Sequence, residues 1–179
     1  FEPLREEPEI LIVDDEEDVA EMHAYRVERE YRALVATNGE EALNAISTNT
    51  DVVLLDRRMP GLSGDDVLER LRDEGYDCQV VMVTAIDAGE KIAEMDFNDY
   101  VTKPIGDDTL LQAVSEQLEV RRLNKAHSRL NSAKNKIDVM EDQNTTPELD
   151  NNEEYEELQQ QKDHYTKKVV ELEEKIGVN

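Results

Sequence analysis

Five chemically active residues stand directly behind apolar runs. Asp14 and Asp15 follow ILIV (10–13), Asp56 ends DVVLLD (51–56), Thr84 follows VVMV (80–83), and Lys103 follows DYVT (99–102). Carboxylates gathered in one cleft repel each other and raise one another's pKa. A hard cation removes that cost, and oxygen-only donors with room for waters suit Mg²⁺. Only some of the acids need touch the metal. One carboxylate can stay free to attack phosphorus and form an aspartyl phosphate. Phosphoryl transfer then needs mainly positioning and charge neutralisation. Mg²⁺ and the Lys103 ammonium would neutralise the transferred group, and the Thr84 hydroxyl can hydrogen-bond one of its oxygens.

Such convergence requires strands that end at one edge. Five apolar runs recur, at 10–13, 33–36, 51–55, 80–83 and 99–101. The first, third and fourth are continuous, as in strands buried on both faces. Helical patterns lie between them. Glu17–Glu28 is predicted to turn Val19, Met22 and Val27 inward. Residues 38–46 gather Ala42, Leu43 and Ile46, and residues 64–75 gather Val67, Leu68 and Leu71 before Gly75 closes the helix. Strand alternating with helix implies parallel strands, right-handed crossovers and a three-layer α/β sandwich. Ligands of such sheets bind outside the carboxyl ends of the strands, where the polar residues stand.

The segments ILIVDDEE, TNGEEAL, DVVLLDRRMPGLSG, VVMVTA and DYVTKP occur in order across residues 9–118. Together they resemble the response-regulator receiver domain of two-component signalling. The resemblance implies a flavodoxin-like, doubly wound, five-stranded parallel sheet of order 2-1-3-4-5. It implies that Asp56 takes a phosphoryl group from a histidine kinase's phosphohistidine. Mg²⁺ would be held by Asp15, Asp56 and the backbone carbonyl of Arg58, with Asp14 acting mainly through water. Thr84 and Tyr100 would be the switch pair, Lys103 would bind the phosphate, and Pro104 would fix the adjacent peptide, typically cis. Such a protein is a phosphoacceptor catalysing only its own phosphorylation and dephosphorylation, with no independent enzyme activity. Two features depart from the family pattern. Arg57 stands where an apolar residue usually follows the phosphorylated Asp. The stretch from Thr84 to Lys103 is short, so the helix expected there is truncated or irregular. Blander roles exist for single residues: an Asp pair can cap a helix, Thr84 can simply end a strand, and Tyr100 can be core.

Composition narrows the partners. Acids outnumber bases 44 to 20, for a net charge of −24, which argues against a nucleic-acid-coating surface. It suits the salt-rich cytoplasm of a halophile, where self-repulsion is screened within about 3 Å at 1 M salt. Cys78 is the sole cysteine, so no intrachain disulfide forms, and His23, His127 and His164 have no metal-ligand spacing. No run approaches the roughly 20 apolar residues that span a bilayer, and no signal-peptide pattern opens the chain. Residues 1–8 read as an N-terminal extension.

Residues 119–179 form a second domain by pattern. Leu123, Ala126, Leu130, Ala133, Ile137 and Met140 make a heptad seam that continues the last receiver helix. QNTTPELDN (143–151), with Pro147, breaks it. A second seam follows at Tyr155, Leu158, Lys162, Tyr165, Val169, Leu172 and Ile176. Residues 120–137 hold six bases and no acids, whereas 148–176 hold ten acids and four bases. Opposite charge and a short connection predict an antiparallel helical hairpin or coiled coil. Two helices bury little alone, so a homodimer through this tail is expected. The tail resembles the HalX domain that follows receivers in haloarchaeal regulators. That implies an output in transcription, through its machinery or DNA. The alternative is an adaptor that regulates a partner protein through the tail without binding DNA.

Overall fold

The continuous apolar runs form the middle of the sheet. In the computed structural model, which describes residues 7–85, 95–144, 149 and 152–177, five parallel strands pair in the order β2-β1-β3-β4-β5. They are β1 (Glu9–Val13), β2 (Arg32–Ala36), β3 (Thr50–Asp56), β4 (Gln79–Thr84) and β5 (Asp99–Thr102). Every residue of β1 and β4 is buried, and β3 is buried except at half-buried Asp51. β2 and β5 lie at the edges and keep exposed positions. This is the flavodoxin-like, doubly wound fold.

Side chains alternate across the sheet and divide the core in two. Leu11, Val13, Val53, Leu55, Val80 and Met82 face α2 (Gly39–Ala45) and α3 (Gly64–Asp73), meeting Ala42, Val67, Leu68 and Leu71. Ile10, Ile12, Val52, Leu54, Val81 and Val83 form the other face. They meet Ala20, Ala24 and Val27 of α1 (Glu17–Val27) and Leu110, Ala113 and Val114 of α4 (Asp107–Gln143).

α1 is turned differently from its predicted face. It buries Ala20, His23, Ala24 and Val27, and leaves Met22 42% exposed. Two alanines let the helix approach the sheet closely, and Met22 falls on the outer side. His23 stays on the buried face because its neutral ring is the favoured form there: burial and nearby Arg26 hold its pKa below the usual value. Of the predicted α2 face, Ala42 and Ile46 are buried and Leu43 is half-buried. Ser63 and Asp66 form a reciprocal capping box at the start of α3, and Gly75 follows it at φ +81°. Cys78, the chain's single cysteine, is buried.

The chain divides into two compact units, residues 1–118 and 119–179. α4 runs unbroken through 37 residues. In the second unit it packs against α5 (Glu153–Ile176), which Asn152 caps at one end and Gly177 closes at φ +72°. Leu123, Ala126 and Leu130 pack with Val169 and Leu172, flanked by Tyr165 and Ile176. Lys175 lies 2.8 Å from Glu119, and the Tyr155 hydroxyl donates to Glu141 at 2.7 Å, so the helices are antiparallel. Ala133, Ile137 and Leu158 are also buried, while Met140, Tyr155 and Lys162 are half-buried. Between the helices, His127 Nε2 lies 3.4 Å from Glu173, and the Lys175–Glu119 ion pair runs in the reverse sense to the predicted one, its base on α5 and its acid on α4. Pro147 lies outside the described residues, as do residues 86–94 of the stretch from Thr84 to Lys103 where a truncated or irregular helix is expected.

Candidate functional site

Each central strand delivers its polar residue to the same edge. Asp14 leaves β1 and Asp56 ends β3, both buried, while Asp15 is exposed. The three carboxylates offer oxygens that all lie within 4.8 Å of one another. Lys103, beyond β5, reaches across to two of them. Its Nζ donates to Asp14 Oδ2 at 2.8 Å and to Asp56 Oδ2 at 3.0 Å. Its backbone N–H donates to the Thr84 carbonyl at 2.7 Å, and the Lys103–Pro104 peptide is cis.

The other oxygen of each of these two acids, Asp14 and Asp56, meets a backbone amide. Asp14 Oδ1 accepts from Glu16 N–H at 3.0 Å, and Asp56 Oδ1 accepts from Arg58 N–H at 3.3 Å. The capping alternative for the acid pair therefore fails in its simple form. Glu16 is the N-cap of α1 and makes no side-chain cap bond, and Asp14 turns into the cleft.

Burial raises the Asp56 pKa above its ordinary value, and hydrogen bonds from Lys103 and the Arg58 amide only partly offset this. Burial also works against the Lys103 ammonium, but its bonds to Asp14 and Asp56 outweigh it and hold that pKa above the usual value. Both partners thus grip their protons more tightly than free side chains. One ammonium against three carboxylates leaves the cleft short of positive charge. An all-oxygen donor set with that deficit fits a hard divalent cation.

Thr84 is buried at the end of β4, whereas Tyr100 is 50% exposed, so Tyr100 is not a core residue. Its ring meets Phe97 edge-on, with centroids 6.4 Å apart. Thr84 and Tyr100 line one small pocket together with Arg57, Met82, Met95 and Phe97. A more open cleft on the acid side is lined by Asp15, Arg57, Arg58, Met59, Pro60, Ser63 and Asp65.

Two features of the site were not read from the sequence. Arg57 makes a two-pronged ion pair with Asp65, Nε–Oδ1 3.1 Å and Nη2–Oδ2 3.2 Å. The unusual residue type at position 57 was a signal, but nothing in the spacing named Asp65. The second is the fit of α3 against the acceptor strand. Gly64 N–H donates to the Arg57 carbonyl at 2.9 Å, and a Cβ on Gly64 would stand 2.3 Å from the Asp56 carbonyl oxygen.

The sequence is similar over 122 residues to a candidate transcriptional regulator of Haloferax volcanii, at 44% identity, covering 64% of this chain and 21% of that protein. It is 40% identical over 118 residues to the uncharacterized transcriptional regulatory protein YkoG of Bacillus subtilis, covering 63% of this chain and 52% of that one. The chain thus spans between about a fifth and about half the length of these relatives. Among solved structures, the BeF₃-activated receiver domain of DrrB superposes with a TM-score of 0.58 at 27% identity, over 63% of this chain and 98% of that one. The response regulator receiver domain model matches residues 10–115. That match covers more than half of the chain and contains every residue of the cleft and all of the sheet but Glu9, so this protein belongs to the response regulator receiver domain family.

Proposed function

We propose that this protein is a phosphorylation switch of a two-component relay, taking a phosphoryl group on Asp56 from the phosphohistidine of a histidine kinase. The convergence of Asp14, Asp15, Asp56 and Lys103 from three strand ends carries this proposal. An Asp56 carboxylate oxygen attacks phosphorus, the P–N bond to the imidazole breaks, and an acyl phosphate P–O bond forms. Lys103 Nζ passes from Asp56 to a phosphoryl oxygen, and the Thr84 hydroxyl donates to another. Asp15, Asp56 and the Arg58 carbonyl would hold Mg²⁺ directly, and Asp14 would hold it through water. The cation supplies the charge neutralisation that transfer requires. Tyr100 then turns inward behind Thr84. In this reading the protein is a phosphoacceptor and not a free-standing hydrolase. Acetyl phosphate with Mg²⁺ should add one acid-labile, hydroxylamine-sensitive phosphoryl group per chain by mass spectrometry; no addition rejects the proposal.

We assign residues 9–118 to the receiver and 119–179 to a HalX-like output hairpin. Similarity to a Haloferax volcanii protein and to a transcriptional regulatory protein supports a cytoplasmic role in transcription in a halophilic archaeon. Among the described residues, no helix is long and apolar enough to cross a membrane. The hairpin leaves Val139 and Val170 about half exposed, which supports a homodimer through this unit. Light scattering at high salt should give twice the chain mass, and a strict monomer rejects the dimer. The adaptor reading, in which the tail binds a protein and no DNA, draws on the acid-rich composition of residues 1–118, with 30 acids against 10 bases. DNA retention at molar salt would exclude it.

A further inference from the structure

Arg57 stands at the boundary between the two halves of the site. Asp56 pairs with Val83 across the sheet, and the Arg57 N–H continues that ladder to the Val83 carbonyl at 2.9 Å. Alternation along a strand sends side chains 56 and 57 to opposite faces. Asp56 therefore meets Lys103, while Arg57 joins Thr84 and Tyr100 around the small pocket. Apart from Thr84, the other residues lining that pocket are Met82, Met95, Phe97 and Tyr100. Beyond its carboxylate partner Asp65, a guanidinium in such surroundings can offer itself to the face of an aromatic ring.

Asp65 fixes how that guanidinium is presented. Its carboxylate takes the Nε and Nη2 edge in a bidentate fork, a geometry specific to arginine. The edge is thereby occupied and the planar face is left for stacking. The Arg57 side chain is only 21% exposed. Aromatic rings carry negative faces, and a cation over such a face is held more strongly where water is excluded.

We propose that Arg57, oriented by Asp65, is a positioning residue for Tyr100: its guanidinium forms the cationic wall against which the ring seats when it turns inward. This rests on the reading of Asp56 as phosphoacceptor and of Thr84 and Tyr100 as its switch. It gives the departure at position 57 a role. An apolar residue there offers the ring packing alone, whereas arginine offers packing and charge, and pins α3 to the same pocket through Asp65.

The test uses the full chain carrying fluorotyrosine, with the Tyr100 resonance assigned by its loss in Tyr100→Phe. Burial of the ring is read as protection from a soluble gadolinium chelate, before and after saturation with beryllofluoride and Mg²⁺. The wild type should gain protection at Tyr100. Arg57→Gln, which keeps the length and removes the charge, should lower the inward-to-outward ratio roughly tenfold. Asp65→Asn keeps the guanidinium but loses the fork, and should lower the ratio by a smaller factor. The double variant should match Arg57→Gln alone, because Asp65 then has nothing to orient. If Arg57 merely anchors α3, unfolding midpoints shift while Tyr100 protection in both single variants equals wild type, and the proposal is overturned with the switch intact. A wild type whose Tyr100 signal ignores beryllofluoride overturns the switch reading and this proposal with it.

Discussion

Replacing Asp56 with Asn is expected to abolish Mg²⁺-dependent, acid-labile labelling by acetyl phosphate and, in chelator, to stabilise the folded protein at neutral pH. The first effect follows from chemistry: an amide cannot form the acyl phosphate, and Asp14 has its two oxygens engaged by Lys103 and the Glu16 amide. The second follows from electrostatics. Asp56 is buried and its folded pKa is raised above the ordinary 3.8. A raised carboxyl stabilises the fold most when protonated, so its contribution is complete below about 3.8 and is lost as pH rises through the folded value. At pH 7 the ionised group is a burden that Asn removes, by about 1 kcal/mol. The gain should shrink to nothing when both proteins are compared below pH 3.8, where Asp56 is itself neutral. Urea titrations at the two pH values check the sign, and full labelling of the variant would reject Asp56 as the acceptor.

Gly64→Ala is expected to cost about 3 kcal/mol, near the upper end of ordinary overpacking penalties. The new Cβ would stand 2.3 Å from the Asp56 carbonyl oxygen and 2.8 Å from the Arg57 Cα. Both obstacles are backbone, and the strand carrying them is hydrogen-bonded on either side, so neither can swing clear. α3 would have to retreat, stretching the 2.9 Å bond from Gly64 N–H to the Arg57 carbonyl and moving the acceptor strand's end. Beryllofluoride affinity should fall with stability. Gly61→Ala is the matched control. That residue has φ +79° but nothing within 4 Å of an added Cβ, so it should lose only about 1 kcal/mol of backbone preference. Denaturant unfolding of the two variants checks the difference; equal losses would mean that the close approach at Gly64 is not felt.

The fold was legible where one physical demand dominated. The runs at 10–13, 51–55 and 80–83 are too continuously apolar for a one-sided sheet, and they became the three central strands. Each run's polar successor then had one place to go, the carboxyl edge. Periodicity was weaker on α1, where large residues at 19 and 22 suggested one face and the small residues Ala20 and Ala24 took it. Close packing against a sheet rewards small side chains, which a count of bulky apolar residues overlooks. The acid cluster was readable because its residues carry their chemistry in their type. The Arg57–Asp65 fork was not: eight positions separate the partners across a strand end, a loop and a cap, and only the folded path brings them together. In the tail, the seam at 123, 126, 130, 133 and 137 is buried as its spacing required. At Leu123, Ala126 and Leu130 its partner is α5 itself, because antiparallel return aligns the two stripes.

The 2.8 Å contact between Lys175 and Glu119 has a mechanical meaning. The chain enters and leaves this hairpin at the same end. A pull applied between residues 119 and 177 would load that first contact alone and then each helical turn in succession, as a zipper opens. Pulling the ends of a helix pair in opposite directions along the axis would instead load every layer at once. This unit is therefore built to yield gradually under tension at its base.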